Sequence, residues 1–232
     1  MSKLYIVGTP IGNLKDLTFR ALETLQKVDV IACEDTRVTS KLLAHYNIEG
    51  KKLIKYDNFN EKNSSKGICK LIVEQNLDVA LVSDAGMPVM SDPGFELIRS
   101  AKNSDIDVEL IPGVNAAISA FVMSSLDNTF TFLGFIKDKI NSRKIQLESL
   151  AQGTYIFYVS PHKLLETLKN IDETIPNNQV FLAKELTKLY EHFYSGSAYD
   201  IHEELSTLDA IKGEYTLVLK IPKTKKNKYK NQ

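Results

Sequence analysis

Polar, glycine-bearing segments follow four short apolar runs of the sequence, each where a β-strand would end. They read "GTPIGN" (8–13), "EDTR" (34–37), "SDAGMP" (83–88) and "PGVNAA" (112–117). In an open parallel sheet, the carboxyl ends of the strands share one edge, and backbone N–H groups point into the gap there. The sequence therefore predicts that these four segments converge on one ligand site.

The residue types in these segments limit the kinds of reaction that the site could catalyse. The glycines Gly8 and Gly12 have neither the spacing of a dinucleotide fingerprint nor that of a P-loop. The sequence contains no obvious nucleophile beside a base and no set of side chains with metal-ligand spacing, so we expect no metal. This pattern favours a reaction in which a cofactor carries the reactive group and the protein positions it.

Each of these residues also has a simpler structural explanation. Asp35 before Thr36 has the type and place of a helix cap, and Asp84 before Ala85 is typical of a turn. Asn115 is expected to cap the helix that follows it. Only the convergence of the four segments distinguishes a site from four ordinary loops.

Composition predicts a soluble, cytoplasmic globular protein. Of 232 residues, 43% are hydrophobic, and 29 basic residues balance 29 acidic ones, so net charge gives no general reason to expect nucleic acid or a membrane. The start of the chain lacks the pattern of a signal peptide. We expect Cys33 and Cys69 to be reduced and structural. Lysines are dense from Lys220 onwards, which is typical of a disordered end and, less often, of a nucleic-acid tether.

Hydrophobic periodicity predicts two α/β domains. Residues 1–112 alternate strands with helices, which predicts a mainly parallel sheet; the strands are 3–8, 29–34, 51–56, 79–84 and 107–112. Residues 113–222 have longer, more aromatic strands and predict a mixed or antiparallel sheet; these strands are 130–136, 154–159, 179–186 and 213–221. Residues 223–232 are predicted to be a lysine-rich disordered tail. A cleft between two such domains is the expected ligand site.

Seven segments in order resemble the bacterial small-subunit ribosomal RNA methyltransferase I family of the tetrapyrrole-methylase superfamily. They are "LYIVGTPIGNL", "DVIACEDTR", "LVSDAGMPVMSDPG", "LIPGVNAA", "FYVSPHKLLETL", "AKELTK" and "KGEYTLV". The resemblance implies a two-domain α/β fold with the active-site cleft between the domains, S-adenosylmethionine as cofactor, and usually a homodimer. It also implies methylation of a cytidine 2'-oxygen in 16S ribosomal RNA of the small subunit.

The sequence departs from the family pattern at Val159, where the family has glutamate, so no role of that carboxylate carries over. It also departs at Met87, Val114, Lys163 and Lys184, where the family has threonine, proline, arginine and arginine. These four substitutions keep charge or bulk, and we expect the fold and the donor site to survive them.

The resemblance also assigns site residues. Predicted donor contacts are Asp84, Ala85, Gly86, Met87, Pro88, Pro112, Gly113, Ala116, Phe157, Leu186, Gly213 and Thr216. A ribose hydroxyl needs a base or a cation that stabilises the developing oxyanion, and side-chain chemistry leaves six candidates: Glu34, Asp35, Arg37, His162, Lys184 and Glu185. Among these, Lys184 with Glu185 is the favoured catalytic pair. Predicted substrate contacts are Asn13, Glu34, Asp35, Arg37, Asn60 and His162. The simpler alternatives are a helix start for His162 and a surface ion pair for Lys184 and Glu185.

Three further possibilities stay open on the sequence. The "DNFNE" segment (57–61) suits contacts to an unstacked nucleotide, and a plain loop suits it equally well. A local basic patch formed by the lysine-rich tail together with Lys137, Lys139, Arg143 and Lys144 would favour RNA binding. Alternative functions are a tetrapyrrole or diphthine-type methyltransferase of the same superfamily, or a non-catalytic ribosome-binding module.

Overall fold

The computed structural model describes residues 2–223, and within this range the chain forms two five-stranded sheets. It divides into two compact units, residues 2–115 and residues 116–223 of the described chain. The predicted lysine-rich tail lies outside the described residues, apart from Lys223. Among the described helices, none combines the length and the apolar character needed to cross a bilayer.

The first unit is a parallel sheet with helices between its strands. Its order is β3-β2-β4-β1-β5, and every pairing is parallel, as the sequence predicts. The strands are β1 (Lys3–Val7), β2 (Val30–Cys33), β3 (Lys52–Lys55), β4 (Val79–Val82) and β5 (Asp107–Ile111). The helices are α1 (Phe19–Lys27), α2 (Thr36–His45), α3 (Glu61–Gln75) and α4 (Phe95–Asn103), with a short 3₁₀ turn at Leu14–Asp16.

Alternation along the strands builds a core on each face of this sheet. Leu4 and Ile6 pack on one face, and Tyr5 and Val7 on the other. Strands β2 and β4 are buried along their whole length because helices cover both faces. The thiols of Cys33 and Cys69 are free and buried, and burial raises the pKa of both, as expected of structural cysteines.

The second unit contains a mixed sheet of order β6-β7-β10-β8-β9. Strands β6 and β7 pair in parallel and the other pairs are antiparallel, which confirms the predicted mixed sheet. The strands are β6 (Thr131–Phe135), β7 (Gly153–Val159), β8 (Gln179–Lys184), β9 (His192–Gly196) and β10 (Tyr215–Ile221). The helices are α5 (Ala116–Ser124), α6 (Ile140–Glu148), α7 (Leu164–Thr174) and α8 (Ala198–Ser206), with a 3₁₀ turn at Pro161–Lys163.

Strand β9 was not predicted from the sequence. It lies at the edge of the second sheet, and only Tyr194 of its five residues is buried. A single buried side chain leaves no period-two pattern, so the sequence around it does not indicate a strand.

Candidate functional site

Backbone hydrogen bonds join three loops at the carboxyl edge of the first sheet. Thr9 donates its N–H to the Gly86 carbonyl at 2.8 Å and accepts the Gly86 N–H at 3.1 Å. The buried Thr9 hydroxyl donates to the Ser83 carbonyl at 3.2 Å, and the Gly8 N–H donates to the Ile111 carbonyl at 3.0 Å. The loops after β1, β4 and β5 therefore form one connected structure.

The fourth segment joins this structure through Asp84. One oxygen of the Asp84 carboxylate accepts the N–H of Asp35, the residue before α2, at 3.0 Å. Asp84 is therefore more than a turn residue, because it connects the loop after β4 to the loop after β2. The four segments do converge, as the rule for parallel sheets predicts.

Gly8 and Gly113 bring two backbones into direct contact. A Cβ added to Gly8 would lie 2.7 Å from the Gly113 Cα, and one added to Gly113 would lie 2.9 Å from the Gly8 Cα. The Sδ atom of Met87 closes the contact by accepting the Gly113 N–H at 3.2 Å. Gly8 and Gly113 therefore serve close packing between loops, a role that a phosphate-binding motif does not require.

The loop between β4 and α4 holds an unusual backbone conformation. Gly86 and Gly94 have φ of 80° and 144°, and the non-glycine residues Val89 and Ser91 have φ of 76° and 74°. A positive φ is rare for a β-branched residue, and such conformations cost about 1–3 kcal/mol each. The loop persists in this form only because contacts around it determine its conformation.

Three carboxyl groups at the same edge have no salt-bridge partner among the described residues, although Arg37 lies close enough to Asp84 for the two charges to interact. Burial raises the pKa of Glu34, and the charges of Asp84 and Asp57 raise it further. Burial also raises the pKa of Asp92 to about 6, with added repulsion from Glu34 and Asp84 that the Ser83 hydroxyl partly offsets. Within residues 2–223, Glu34, Asp84 and Asp92 form no salt bridge. This edge therefore favours a ligand that brings positive charge.

Asp35 and Arg37 bind each other through hydrogen bonds and an ion pair. Asp35 caps α2 by accepting the Arg37 N–H at 2.8 Å, as the simpler explanation had it. The Arg37 guanidinium contacts the same carboxylate through Nε at 3.0 Å and Nη2 at 2.5 Å, and this holds the pKa of Asp35 near 2. The exposed Arg37 side chain is thus held in a defined orientation.

The remaining predicted substrate contacts lie on exposed turns. Asn13 precedes the 3₁₀ turn after β1 and accepts the Lys15 N–H at 3.1 Å. Asn60 precedes α3 and is exposed, and His162 is exposed within the 3₁₀ turn before α7. Their roles toward a substrate stay predictions.

In the second unit, Lys184 and Glu185 do not pair with each other. Lys184 ends β8, is half-buried, and forms no side-chain hydrogen bond or salt bridge among the described residues. Glu185 has φ of 51°, and its carboxylate accepts the Glu214 N–H at 2.9 Å and the Lys188 ammonium at 3.0 Å. Glu185 therefore forms the predicted type of ion pair, but with Lys188.

The environment of Glu185 weakens it as a proton acceptor. Burial tends to raise its pKa, but the Glu214 N–H and the Lys188 ammonium outweigh burial and lower it. Gly213 packs against this side chain: its φ is 101°, and a Cβ there would lie 2.8 Å from the Glu185 Cγ. Glu185 and Gly213 therefore form one packed corner at the ends of β8 and β10.

The other predicted donor contacts of the second unit differ in exposure. The Phe157 side chain is fully buried in the hydrophobic core of the unit, and its role as a donor contact stays a prediction. Thr216 and Leu186 are also buried, at 5% and 8% exposure, whereas Ala116 at the start of α5 is half-buried. Val159, the position of the family's glutamate, is a core residue at 2% exposure.

Arg143 does not belong to a surface basic patch, contrary to the prediction. Arg143 is fully buried, donating from Nε to Asn170 at 2.9 Å and pairing with Glu166 at 2.7 Å. Lys144 is engaged with Glu173 at 2.8 Å. A buried guanidinium needs such partners, and the sequence gives no sign that this arginine, unlike its neighbours, points inward.

Sequence reasoning assigned no role to Asp92, and it considered Glu61 only as the last residue of the "DNFNE" segment. In the structure, Asp92 lies in the loop between β4 and α4, and Glu61 contacts the end of that loop. The Oε1 atom of Glu61 accepts N–H groups at the start of α4. No local signal identifies either residue, because each acts through partners far away in the chain. Among the described residues, no group of three or more His, Cys, Asp or Glu side chains could hold a metal ion.

Comparison with known proteins assigns the fold. The family model "Tetrapyrrole (Corrin/Porphyrin) Methylases" matches residues 3–202. Diphthine synthase superposes with a TM-score of 0.72 at 14% identity, covering 96% of this chain and 91% of that one. Uroporphyrin-III-C-methyltransferase from Thermus thermophilus complexed with S-adenosyl homocysteine superposes with a TM-score of 0.65 at 15% identity, covering 94% and 97%.

Relatives found by sequence have a much higher identity to this chain than these solved structures. "Ribosomal RNA small subunit methyltransferase I" of Mycoplasmopsis pulmonis is 56% identical over 94% of this chain and 97% of its own. The protein of that name from Thermotoga maritima is 44% identical over 94% and 98%. This chain therefore belongs to the tetrapyrrole methylases and, within them, to the ribosomal RNA small subunit methyltransferase I family, whose methyltransferases use S-adenosylmethionine.

Proposed function

We propose that this protein transfers a methyl group from S-adenosylmethionine to the 2'-oxygen of a cytidine in 16S ribosomal RNA of the small subunit. The observation that carries the proposal is the identity of 56% over nearly the whole chain to a relative named as a small-subunit ribosomal RNA methyltransferase. The cytidine and its 2'-oxygen come from the family resemblance of the sequence motifs. From the same resemblance we propose a cytoplasmic homodimer.

The first unit offers surroundings that suit this donor. S-adenosylmethionine has no phosphate, and it carries positive charge on its sulfonium and its amino group. Glu34, Asp84 and Asp92 are carboxyl groups without salt-bridge partners among the described residues, so a cationic ligand would relieve their mutual repulsion. The donor contacts proposed here are Asp84, Ala85, Gly86, Met87, Pro88, Pro112 and Gly113.

When bound, the donor would supply a methyl group activated by the positive charge on its sulfur. As the ribose oxygen bonds to the methyl carbon, the carbon–sulfur bond would break, S-adenosylhomocysteine would leave, and the hydroxyl proton would pass to solvent. The protein's contribution is alignment, and correct positioning accounts for about 7–11 kcal/mol of such barriers. The interlocked loops of the first unit suit this task, because Thr9 and Gly86 fix each other through two backbone hydrogen bonds.

On the acceptor side we propose that Lys184 is the catalytic group. Lys184 is a half-buried residue whose ammonium forms no salt bridge among the described residues, and this group would stabilise negative charge that develops on the ribose oxygen. We propose that Glu185 positions Lys184. Its carboxylate accepts hydrogen bonds from the Glu214 N–H and the Lys188 ammonium, and these bonds fix the chain directly after Lys184.

For the RNA we propose contacts from exposed side chains. Arg37 is held in place by Asp35 and is suited to contact a phosphate, and Lys137 and Lys139 are the members of the predicted basic patch that remain exposed. Asn13, Glu34, Asn60 and His162 complete the proposed substrate contacts.

The test is to map the modification. Purified protein, S-adenosylmethionine labelled in its methyl group, and small ribosomal subunits from cells lacking this gene are incubated together. Label in one cytidine of 16S ribosomal RNA, resistant to alkaline cleavage at that nucleotide, is the expected result. A parallel incubation contains a porphyrinoid precursor in place of the subunits. Label in that precursor and none in the RNA would favour the tetrapyrrole alternative, and no binding of S-adenosylmethionine would favour a ribosome-binding module.

Replacing Lys184 by alanine tests the catalytic assignment. We expect the methylation rate to fall about 100- to 1000-fold, as when an oxyanion-stabilising donor is removed, while affinity for S-adenosylmethionine measured by calorimetry stays unchanged. Lys169→Ala, an exposed lysine on α7, is the matched control and should retain full activity. Full activity of Lys184→Ala would remove the assignment.

A further inference from the structure

One oxygen of Glu61 collects three hydrogen bonds. Glu61 is the first residue of α3, and its Oε1 accepts the Gly94 N–H at 2.9 Å and the Glu96 N–H at 3.1 Å. The same oxygen accepts the hydroxyl of the fully buried Tyr56 at 3.0 Å. The bonds to Gly94 and Glu96 cross 33 and 35 residues of sequence and tie the start of α3 to the start of α4.

Helix α4 lacks a cap of its own. Its N-cap residue is Gly94, which has no side chain, and the first N–H groups of any helix have no partner within the helix. Glu61 therefore supplies from another helix what a Ser or Asp at position 94 would normally supply, and its negative charge complements the positive end of the helix dipole.

Gly94 cannot readily be exchanged for a capping residue. Its φ is 144°, and an added Cβ would lie 2.9 Å from the Leu81 Cδ2 and 2.9 Å from the Val89 Cγ2. The end of the loop between β4 and α4 must therefore be glycine, and the hydrogen bonds that hold it must come from elsewhere in the fold.

This loop is also the one that carries conformational strain. Val89 and Ser91 have φ of 76° and 74°, which non-glycine residues adopt only where surrounding contacts impose it. At its first half, the loop is fixed by the pairing of Gly86 with Thr9. At its far end, Glu61 makes the corresponding attachment.

From these contacts we infer that Glu61 is a positioning residue for the methyl donor. It fixes the far end of the loop whose first half, Asp84 to Pro88, is proposed above to contact S-adenosylmethionine. The inference rests on that proposed function and adds to it a residue that acts through the loop backbone without touching the donor.

The experiment compares Glu61→Ala with Glu61→Gln. Alanine removes all three hydrogen bonds, whereas the glutamine side-chain oxygen is still able to accept them. We expect Glu61→Ala to weaken S-adenosylmethionine binding about fivefold to thirtyfold by calorimetry, the range that corresponds to losing a helix cap, and Glu61→Gln to stay within about threefold of wild type. Glu74→Ala, an exposed glutamate on the same helix, is the control and should bind as wild type does.

Amide hydrogen exchange provides a readout independent of the donor. In Glu61→Ala the amides of Gly94 and Glu96 should exchange faster, while that of Leu81 in β4 stays as protected as in wild type. If Glu61→Ala does not fold, Glu61→Asp replaces it, because the shorter carboxylate keeps the charge but loses reach; its donor affinity should fall between those of wild type and the alanine range.

The outcomes separate this inference from the function on which it rests. If the wild-type protein binds no S-adenosylmethionine, the proposed function fails and the inference with it. If the wild type binds and Glu61→Ala binds equally well, or if Glu61→Gln loses as much affinity as Glu61→Ala, only the role of Glu61 is overturned.

Discussion

Replacing Gly8 by alanine tests whether direct backbone contact holds together the loops after β1 and β5, which are proposed to lie beside the methyl donor. The new Cβ would lie 2.6 Å from the Met87 Sδ and 2.7 Å from both the Cα and the N of Gly113. The methionine side chain is able to swing away, but the Gly113 backbone is not. The two loops must therefore separate by about 0.7 Å to reach ordinary van der Waals contact.

The cost of that separation is estimated from two opposing terms. Forcing one extra methyl into a tightly packed site costs about 1–3 kcal/mol. Alanine also restricts the unfolded chain, which offsets about 0.4–1 kcal/mol. We therefore expect Gly8→Ala to lower the free energy of unfolding by about 1–2 kcal/mol and to weaken S-adenosylmethionine binding, because the bond from the Gly8 N–H to the Ile111 carbonyl is disturbed as well.

The chain contains a matched control at Gly67. This glycine lies inside α3, and a Cβ added there would meet nothing within 4 Å. Gly67→Ala should raise stability by about 0.5–1 kcal/mol, because glycine is unfavourable within a helix.

Urea unfolding followed by circular dichroism measures both variants, and calorimetry measures donor affinity. The reasoning is refuted if Gly8→Ala unfolds at the wild-type urea concentration and binds S-adenosylmethionine with the wild-type constant. A loss in Gly67→Ala as large as that in Gly8→Ala would also refute it, because stability would then not depend on the contact.

Two further predictions concern stability. The pKa of Asp92 is raised by burial to about 6 from 3.8, so its contribution to stability is present below about pH 4 and is lost as pH rises through 6. Asp92→Asn should therefore be more stable than wild type toward urea at pH 7, by about 1 kcal/mol once solvent screening of this half-buried group is allowed for, and should match wild type at pH 3.5. The same stability difference at both pH values would contradict the pKa shift. Arg143→Met removes the hydrogen bond to Asn170, the ion pair with Glu166 and the bonds to the carbonyls of Lys137 and Asp138. We expect the free energy of unfolding, measured in urea, to fall by about 1–3 kcal/mol. Unchanged stability of the variant would show that these contacts make no net contribution.

The sequence was sufficient to predict most of the fold, because periodicity reflects burial directly. In the first unit, strands buried on both faces produce apolar runs such as Val30–Cys33, which stand out between amphipathic helices. The missed strand β9 has one buried residue, Tyr194, and its pairing with β8 follows from the tertiary structure. Such edge strands are specified by their neighbours more than by their own residues.

The candidate site was predictable in location but not in detail. The convergence of the loops follows from a topological rule that needs only the order of strands and helices. Glu61 binds Gly94, which is 33 residues away in the sequence, and the buried Arg143 binds Asn170, which is 27 residues away. Glutamate and arginine occur equally well at exposed surface positions, so their types alone do not indicate these contacts. Glu185 shows the same limit: the predicted ion pair exists, but its partner is Lys188.

Three separate costs fall on the loop between β4 and α4. Val89 and Ser91 hold strained backbone conformations, Asp92 is a carboxyl group whose ionisation the fold opposes, and Gly94 leaves the following helix without its own cap. Ordinary turn residues would avoid the strained conformations and the buried carboxyl group, whereas the φ of 144° and the close contacts at position 94 exclude a Ser or Asp cap there. Departures from local rules concentrate where a protein binds or reacts. Their coincidence in one loop, beside the proposed donor contacts, therefore argues that this loop is shaped by its ligand.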